Sequence, residues 1–348
     1  MSRAPEQDNM SKVKLAFLGC GAISGYHLSG ILTTKGLDRK VQVTAAIDLD
    51  PAKAARVAKQ TGAQVFTSLP EALANGDFNA VDIMLPHDLH EEAAVASFRA
   101  SKHVLLEKPM APTLAACERI LDEAEAYGMV FMVAENAEYW PEIVKTTELI
   151  ERGLIGEVIT ARGSLWIRRD QAMGFESPDV WRFKKDRSGG GVAIDGGSHW
   201  IRPLRIWMGE IDEVIALAGN PIEEMEGESL FRSLIKFESG KTASLDALIA
   251  NSVIAPEYWW KITGTDGEIV LPDRGGVKIY DGLHPRGKIV MKPQSYPASY
   301  GPEIEDFADA ILTGKTPAAS AEYSLGELRT ALAMYRSIEN KKWEKVWD

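Results

Sequence analysis

Val13-Lys14-Leu15-Ala16-Phe17-Leu18-Gly19-Cys20-Gly21-Ala22-Ile23-Ser24 decides the fold. The apolar run Val13 to Leu18 leads into a turn with glycine at 19 and 21, and a helical pattern follows. At such a strand-to-helix turn, backbone N–H groups and the helix N-terminus make a seat for a pyrophosphate. The turn departs from a strict G-x-G-x-x-G because Ser24 stands at the last position. The second apolar run, Val43-Thr44-Ala45-Ala46-Ile47, closes on Asp48. A carboxylate there accepts hydrogen bonds from adenosine ribose hydroxyls and repels a 2′-phosphate, which favours NAD, with NADP as the alternative cofactor. Asp50 is the rival for this role; otherwise it caps the helix that begins at Pro51.

Outward from this turn, residues 13–135 alternate short β-like runs with helical patterns. The strand candidates are Lys14–Leu18, Gln42–Ile47, Ala63–Phe66, Ala80–Met84, His103–Leu106 and Val130–Val133. Helical stretches include Pro51–Thr61, Leu69–Asn75, His90–Ala100 and Leu114–Tyr127. Repeated β-α-β units predict a doubly wound parallel sheet of the Rossmann type over residues 11–135. From Asn136 the rhythm changes. A helix, Glu142–Arg152, precedes a long strand, Val158–Ile167, and the glycine run at 189–191 is expected to open another helix. Strand candidates then dominate: Glu213–Ala218, Ser229–Glu238, Lys241–Leu248, Trp259–Thr263, Glu268–Leu271 and Gly276–Tyr280. Helices Glu303–Thr313 and Ala321–Asn340 close the chain. Residues 136–348 therefore read as an α+β domain on a large, open, mostly antiparallel sheet. Helices would cover one face of that sheet and a partner the other, so a homodimer or homotetramer is expected.

Composition narrows the partners. At 348 residues the chain has room for two cores. Its formal net charge of −11 argues against nucleic acid or an anionic membrane surface. The two cysteines, Cys20 and Cys117, imply no disulfide framework, so a cytoplasmic setting is expected. Met1 to Lys12 is polar with no apolar signal-like core, and no run approaches about 18 apolar residues.

Two further stretches carry chemistry. Glu107-Lys108-Pro109 ends the apolar run Val104-Leu105-Leu106, where an open parallel sheet presents residues to a ligand. Pro109 restricts Lys108 to extended backbone and can itself be cis. Gly189-Gly190-Gly191-Val192-Ala193-Ile194-Asp195-Gly196-Gly197-Ser198-His199 sets Asp195 and His199 at i,i+4, one face of a helix. A carboxylate and an imidazole so spaced can share proton transfer or hold a metal. No third ligand stands at sensible spacing, so no metal is expected. His87 and His90 are expected to flank a strand end and a helix start near the nicotinamide.

Together these residues resemble the Gfo/Idh/MocA oxidoreductase family over nearly the whole chain. Gly19-x-Gly21-x-Ile23-Ser24-x-x-His27 resembles its first turn. Leu85-Pro86-His87-x-x-His90 resembles its T-P-N-x-x-H segment, with histidine in place of asparagine. Glu107-Lys108-Pro109 is its E-K-P, and Trp181-Arg182 through His199 resembles its W-R…G-G-G-x-x-x-D-x-G-x-H. The ending Phe307-x-x-Ala310-Ile311-x-x-Gly314-x-x-Pro317 also fits.

The resemblance implies a dehydrogenase transferring hydride between a secondary hydroxyl of a sugar, cyclitol or sugar derivative and a nicotinamide. It implies that Lys108 orients substrate and moves or polarises the proton, that His199 is the general base, and that Asp195 orients substrate. The cofactor would touch Gly19, Gly21, Ala22, Ile23, Asp48, Leu85, Pro86, His87, His90, Glu107, Lys108 and Asn136. The substrate would meet Lys108, Trp166, Arg168, Trp181, Arg182, Asp195, His199 and Arg202. Where many relatives have H-x-x-D, this chain has His199-Trp200-Ile201-Arg202. A guanidinium there, with Arg168 and Arg169, suits an anionic substrate; alternatively Arg202 pairs with Asp195 or Glu210. Trp140, Trp166, Trp181 and Trp200 offer stacking faces for a sugar ring or belong to the core. Two other readings stand beside the dehydrogenase. One is a redox-neutral glycoside hydrolase that oxidises C3 transiently, and the other is a non-catalytic nucleotide or sugar sensor.

Overall fold

A computed structural model describes residues 12–175 and 177–347; the polar stretch before Lys12 and the expected domain start at 11 lie outside the described residues. Six strands form the first sheet: β1 Val13–Leu18, β2 Val41–Ile47, β3 Gln64–Phe66, β4 Ala80–Ile83, β5 His103–Glu107 and β6 Phe131–Ala134. All pair parallel in the order β3-β2-β1-β4-β5-β6. The order reverses between β1 and β4, so their carboxyl ends open a crevice. Six helices connect the strands: α1 Ala22–Thr33, α2 Leu37–Lys40, α3 Pro51–Thr61, α4 Leu69–Asn75, α5 His90–Arg99 and α6 Leu114–Tyr127.

Local signals explain why these helix boundaries were legible. The Asp50 side chain accepts from Ala52 N–H, Pro51 sits at the first helical position, and Gly62 ends α3 at φ +76°. Thr113 caps α6 by accepting from Ala116 N–H, and Gly128 ends it at φ +62°.

The second sheet has nine strands: β7 Val158–Arg168, β8 Ile211–Gly219, β9 Leu230–Phe237, β10 Thr242–Ala250, β11 Tyr258–Gly264, β12 Gly267–Pro272, β13 Val277–Asp281, β14 Lys288–Met291 and β15 Glu344–Lys345. Their order is β14-β13-β12-β11-β7-β10-β9-β8-β15, antiparallel except for the β7–β10 pair. The edge strands β14 and β15 carry too few residues for an alternating pattern to show, and sequence periodicity passes over both.

Five helices complete the chain: α7 Pro141–Glu151, α8 Lys185–Ser188, α9 Gly197–Met208, α10 Tyr300–Thr313 and α11 Ala321–Asn340. The expected helix opening at 189–191 is corrected, since α9 begins at Gly197. The glycine run is instead a turn pressed against its neighbours. A Cβ on Gly191 would lie 2.0 Å from Glu228 O, and one on Gly190 would lie 2.2 Å from Tyr335 Oη. Asp195 therefore precedes the helix that carries His199, and the two do not share a helical face.

The two last helices pack back on the first sheet. Ile304, Phe307 and Ala308 of α10 join the core on one side of it, and Ala321, Leu328 and Ala331 of α11 join the other. Contact between α10 and α1 needs two glycines, because a Cβ on Gly30 would lie 2.7 Å from Gly301 N. One face of the large sheet packs on α9 and α11. The other leaves Ile159, Leu217, Leu234 and Tyr258 more than half exposed.

Candidate active site

The crevice at the sheet's switch point holds a cavity of about 280 Å³. Its walls come from the glycine turn (Gly21 to Ile23), the β4 end (Met84 to His87), Glu107 and Lys108 after β5, and Asn136. Arg182, His199 and Tyr300, from later in the chain, close it. Gly19, at φ +92°, has no room for a side chain; a Cβ would sit 2.5 Å from Met84 O. Gly21 is different: a Cβ there would meet nothing within 4 Å, and no side chain caps α1. Open space before uncapped helical N–H groups fits a pyrophosphate. Ser24 replaces the third glycine without conflict, its hydroxyl donating to Gly21 O at 2.7 Å.

Asp48 is held in place at the β2 end. Its Oδ2 accepts from Cys20 N–H and its Oδ1 from Asp50 N–H, both at 2.8 Å. Asp50 spends its own carboxylate on Ala52 N–H, the helix cap. These residues fit a dinucleotide whose adenosine ribose faces Asp48.

At the other end, Lys108 Nζ lies 2.9 Å from Asp195 Oδ1 and donates to Asp195 O at 2.8 Å. Arg182 Nε donates to Asp195 Oδ2 at 2.8 Å. Burial alone would lower the Lys108 ammonium's pKa, but the charges of Asp195 and Glu107 overcome it and hold it above the usual lysine value. Burial would likewise raise the Asp195 carboxyl, yet Lys108 and Arg182 drive it well below the carboxylate range. The pair is charged at neutral pH. The Lys108–Pro109 peptide is cis.

His199 contacts a carboxylate that the sequence did not single out. Its Nδ1 lies 2.5 Å from Glu135 Oε1. Glu135 is 1% exposed, directly after β6. Burial works against its charge, but His199, Arg202 and Lys108 bring its pKa down to about 2. The imidazole's carboxylate partner is thus Glu135, not the expected Asp195. The only sequence signal for it was position: it follows a buried strand, where the sheet presents residues to a ligand.

Several other expected site residues sit elsewhere or act differently. His87 lines the cavity, with Nδ1 on Ser188 O at 2.9 Å and its ring 4.5 Å from Trp181. Burial pushes its pKa down to about 3, so it is neutral. His90 does not line the cavity; both ring nitrogens face carbonyls, Pro109 O at 3.0 Å and Leu85 O at 2.9 Å. It pins the two loops that do. His27, met only as part of the first-turn resemblance, is buried between Asp82 (2.8 Å) and Glu107 (3.0 Å). With carboxylates at both nitrogens it is a buried imidazolium, and it fixes the Glu107 side chain behind Lys108.

Three expected substrate contacts are corrected. Arg202 is fully buried away from the cavity, paired with Glu138 and Glu327 at 3.0 Å each and with neither Asp195 nor Glu210. Arg168 holds Asp170 at the exposed end of β7. Trp166 lies on the open sheet face beneath Arg232, whose guanidinium is 5.8 Å from its ring. Arg169 stacks on Phe183 at 5.3 Å, also off the cavity wall. Trp140 and Trp200 belong to the aromatic core around Trp260. Trp181 and Arg182 do line the cavity, stacked on each other at 4.4 Å. Among the described residues, no group of three or more His, Cys, Asp or Glu could hold a metal ion, and no helix is long and apolar enough to cross a membrane.

Comparison with known proteins agrees in fold and order. A model for an oxidoreductase family with an NAD-binding Rossmann fold (GFO_IDH_MocA) matches residues 13–135. The GFO/IDH/MocA C-terminal domain matches residues 143–270. A levoglucosan dehydrogenase from Pseudarthrobacter phenanthrenivorans is 28% identical over 348 residues, covering 86% of this chain and 88% of its own. A D-xylose 1-dehydrogenase (NADP(+)) from Haloferax volcanii is 27% identical, covering 89% and 97%. The structure of a levoglucosan dehydrogenase in complex with NADH and levoglucosan superposes with a TM-score of 0.85 at 22% identity, covering 97% of this chain and 100% of that one.

Proposed function

This chain belongs to the GFO/IDH/MocA oxidoreductase family, and from that premise we propose that it is an NAD-dependent dehydrogenase of a secondary hydroxyl on a neutral sugar or cyclitol. One observation carries the reading. A pyrophosphate seat, a charged lysine and a carboxylate-backed imidazole converge on one small cavity. When bound, NAD supplies the hydride acceptor. Lys108 donates to the reacting oxygen and stabilises negative charge on it. His199 Nε2, the nitrogen not engaged by Glu135, takes the hydroxyl proton. Glu135 then stabilises the imidazolium, and Asp195 keeps Lys108 charged while offering an acceptor to substrate hydroxyls.

Charge pairing favours a neutral substrate. Arg202 and Arg168 are committed to carboxylates away from the cavity, and Arg182, which lines it, already serves Asp195. Named relatives acting on levoglucosan, D-xylose and scyllo-inositol support the class. A screen of sugars, glycosides and inositols that follows NADH and aglycone release tests it. NADH formed with a neutral polyol is expected; aglycone release without NADH would point to the hydrolase.

Cofactor preference gives a second test. Because Gly21 faces open space, Gly21→Val should abolish NAD binding and leave the thermal unfolding midpoint near that of the unmodified protein. Asp48→Ser should raise NADP affinity relative to NAD by about tenfold or more, from loss of the repulsive carboxylate. An unchanged ratio by calorimetry would remove Asp48 from the ribose.

Assembly follows from the open sheet face. The exposed Ile159, Leu217, Leu234 and Tyr258 support a homodimer or homotetramer through that face. Light scattering at micromolar concentration should give a mass of two or four chains. A monomer would contradict this.

A further inference from the structure

The imidazole proposed as base sits beside two polar contacts rather than one. The couple His199–Glu135 joins the first turn of α9 to the segment after β6 at 2.5 Å. Three residues on along each segment, Arg202 Nη1 donates to Glu138 Oε2 at 3.0 Å. The two contacts are rungs between α9 and one short segment, the 3-10 turn Asn136–Tyr139 together with Glu135, which caps it. Asn136, which lines the cavity, lies between them on that turn. Arg202 is itself anchored from behind, its Nη2 bonding Ser324 Oγ at 2.7 Å and Glu327 Oε2 at 3.0 Å on α11. A planar guanidinium serving three partners in fixed directions makes a rigid spacer, which a lysine ammonium would not.

Resting on the dehydrogenase reading, we infer that the Arg202–Glu138 pair positions the His199–Glu135 couple for proton transfer. The guanidinium that the sequence offered to substrate acts instead by fixing the rotation of α9 against the turn. Arg202 is a positioning residue, because it reaches the reacting atoms only through the rung beside it.

Removing Arg202 would take from the buried Glu327 one of its two guanidinium partners, leaving Arg205 alone, so the test uses the partly exposed end of the rung. Glu138→Ala breaks it while Arg202 keeps Glu327 and Ser324. Glu138→Gln keeps an acceptor for Nη1. Glu210→Ala breaks an ion pair made by another arginine of α9, Arg205, with Glu210 just past the helix end, at 2.6 and 3.0 Å. Glu138→Ala should lower kcat about tenfold through misplacement of the base, with KM and NAD affinity little changed. Glu138→Gln and Glu210→Ala should retain the original kcat. Without cofactor or substrate, amide hydrogen exchange should quicken at 136–139 and 198–202 in Glu138→Ala alone.

Unaltered kcat and exchange in Glu138→Ala, or an equal loss in Glu210→Ala, would overturn the inference. If no polyol is turned over, the dehydrogenase reading fails first. The exchange comparison then decides the rung by itself, faster exchange supporting it and unchanged exchange rejecting it.

Discussion

Replacing Lys108 with methionine should lower kcat by about 10²–10⁴-fold while leaving NAD binding intact, the range for a positioned group in proton transfer. Methionine keeps an unbranched apolar stem one atom shorter than lysine's and deletes the ammonium. What disappears is a charge aimed at the reacting oxygen, held above the usual lysine pKa by Asp195 and Glu107 against the cost of burial. Asp195 retains Arg182 at 2.8 Å, so its carboxylate is not left alone in the interior. The pyrophosphate seat at Gly21 belongs to a different strand end, and calorimetry should report the original NAD affinity. Wild-type turnover in Lys108→Met would remove the lysine from the chemistry.

His199→Ala should also cost about 10²–10⁴-fold in kcat, because it deletes the ring proposed to take the hydroxyl proton. His87 is no substitute. Burial pushes its pKa down to about 3, too weak a base to accept an alcohol proton at neutral pH. Glu135→Gln should cost less, since the amide oxygen still accepts from Nδ1–H but cannot stabilise the imidazolium by charge. The same glutamate links activity to acid stability. Its pKa falls from an ordinary 4.5 to about 2 on folding. The unfolded chain therefore binds more protons between those values, and stability falls as pH drops through that window. Glu135→Gln should show a shallower loss over the same range in urea unfolding curves. An identical pH dependence in variant and wild type would contradict the assignment.

Much of this was legible in the chain because local chemistry and global topology agreed. The β1 turn, the Asp50 and Thr113 caps and the glycines ending α3 and α6 act within a few residues, where sequence speaks directly. Lys108 and Asp48 were legible because a parallel sheet always presents its carboxyl ends to the crevice. What escaped depends on contacts across long separations. Glu135 reaches His199 over 64 residues, and nothing in its own neighbourhood marks it. Arg202 reads as a substrate contact because it stands where many relatives carry the carboxylate of H-x-x-D. That position turns it instead toward Glu138 and α11. The glycine run 189–191 reads in sequence as a helix start, whereas close packing on Glu228 and Tyr335 makes it a turn.

The central claim is that this cavity oxidises a secondary hydroxyl with net reduction of NAD. The measurement that tests it most directly is the stoichiometry of NADH to ketone, using the best neutral polyol and the same compound deuterated at the reacting carbon. The account predicts equal amounts of NADH and ketone, with slower turnover of the deuterated substrate. Product formed without NADH, or at a rate indifferent to added NAD and to deuterium, would contradict it.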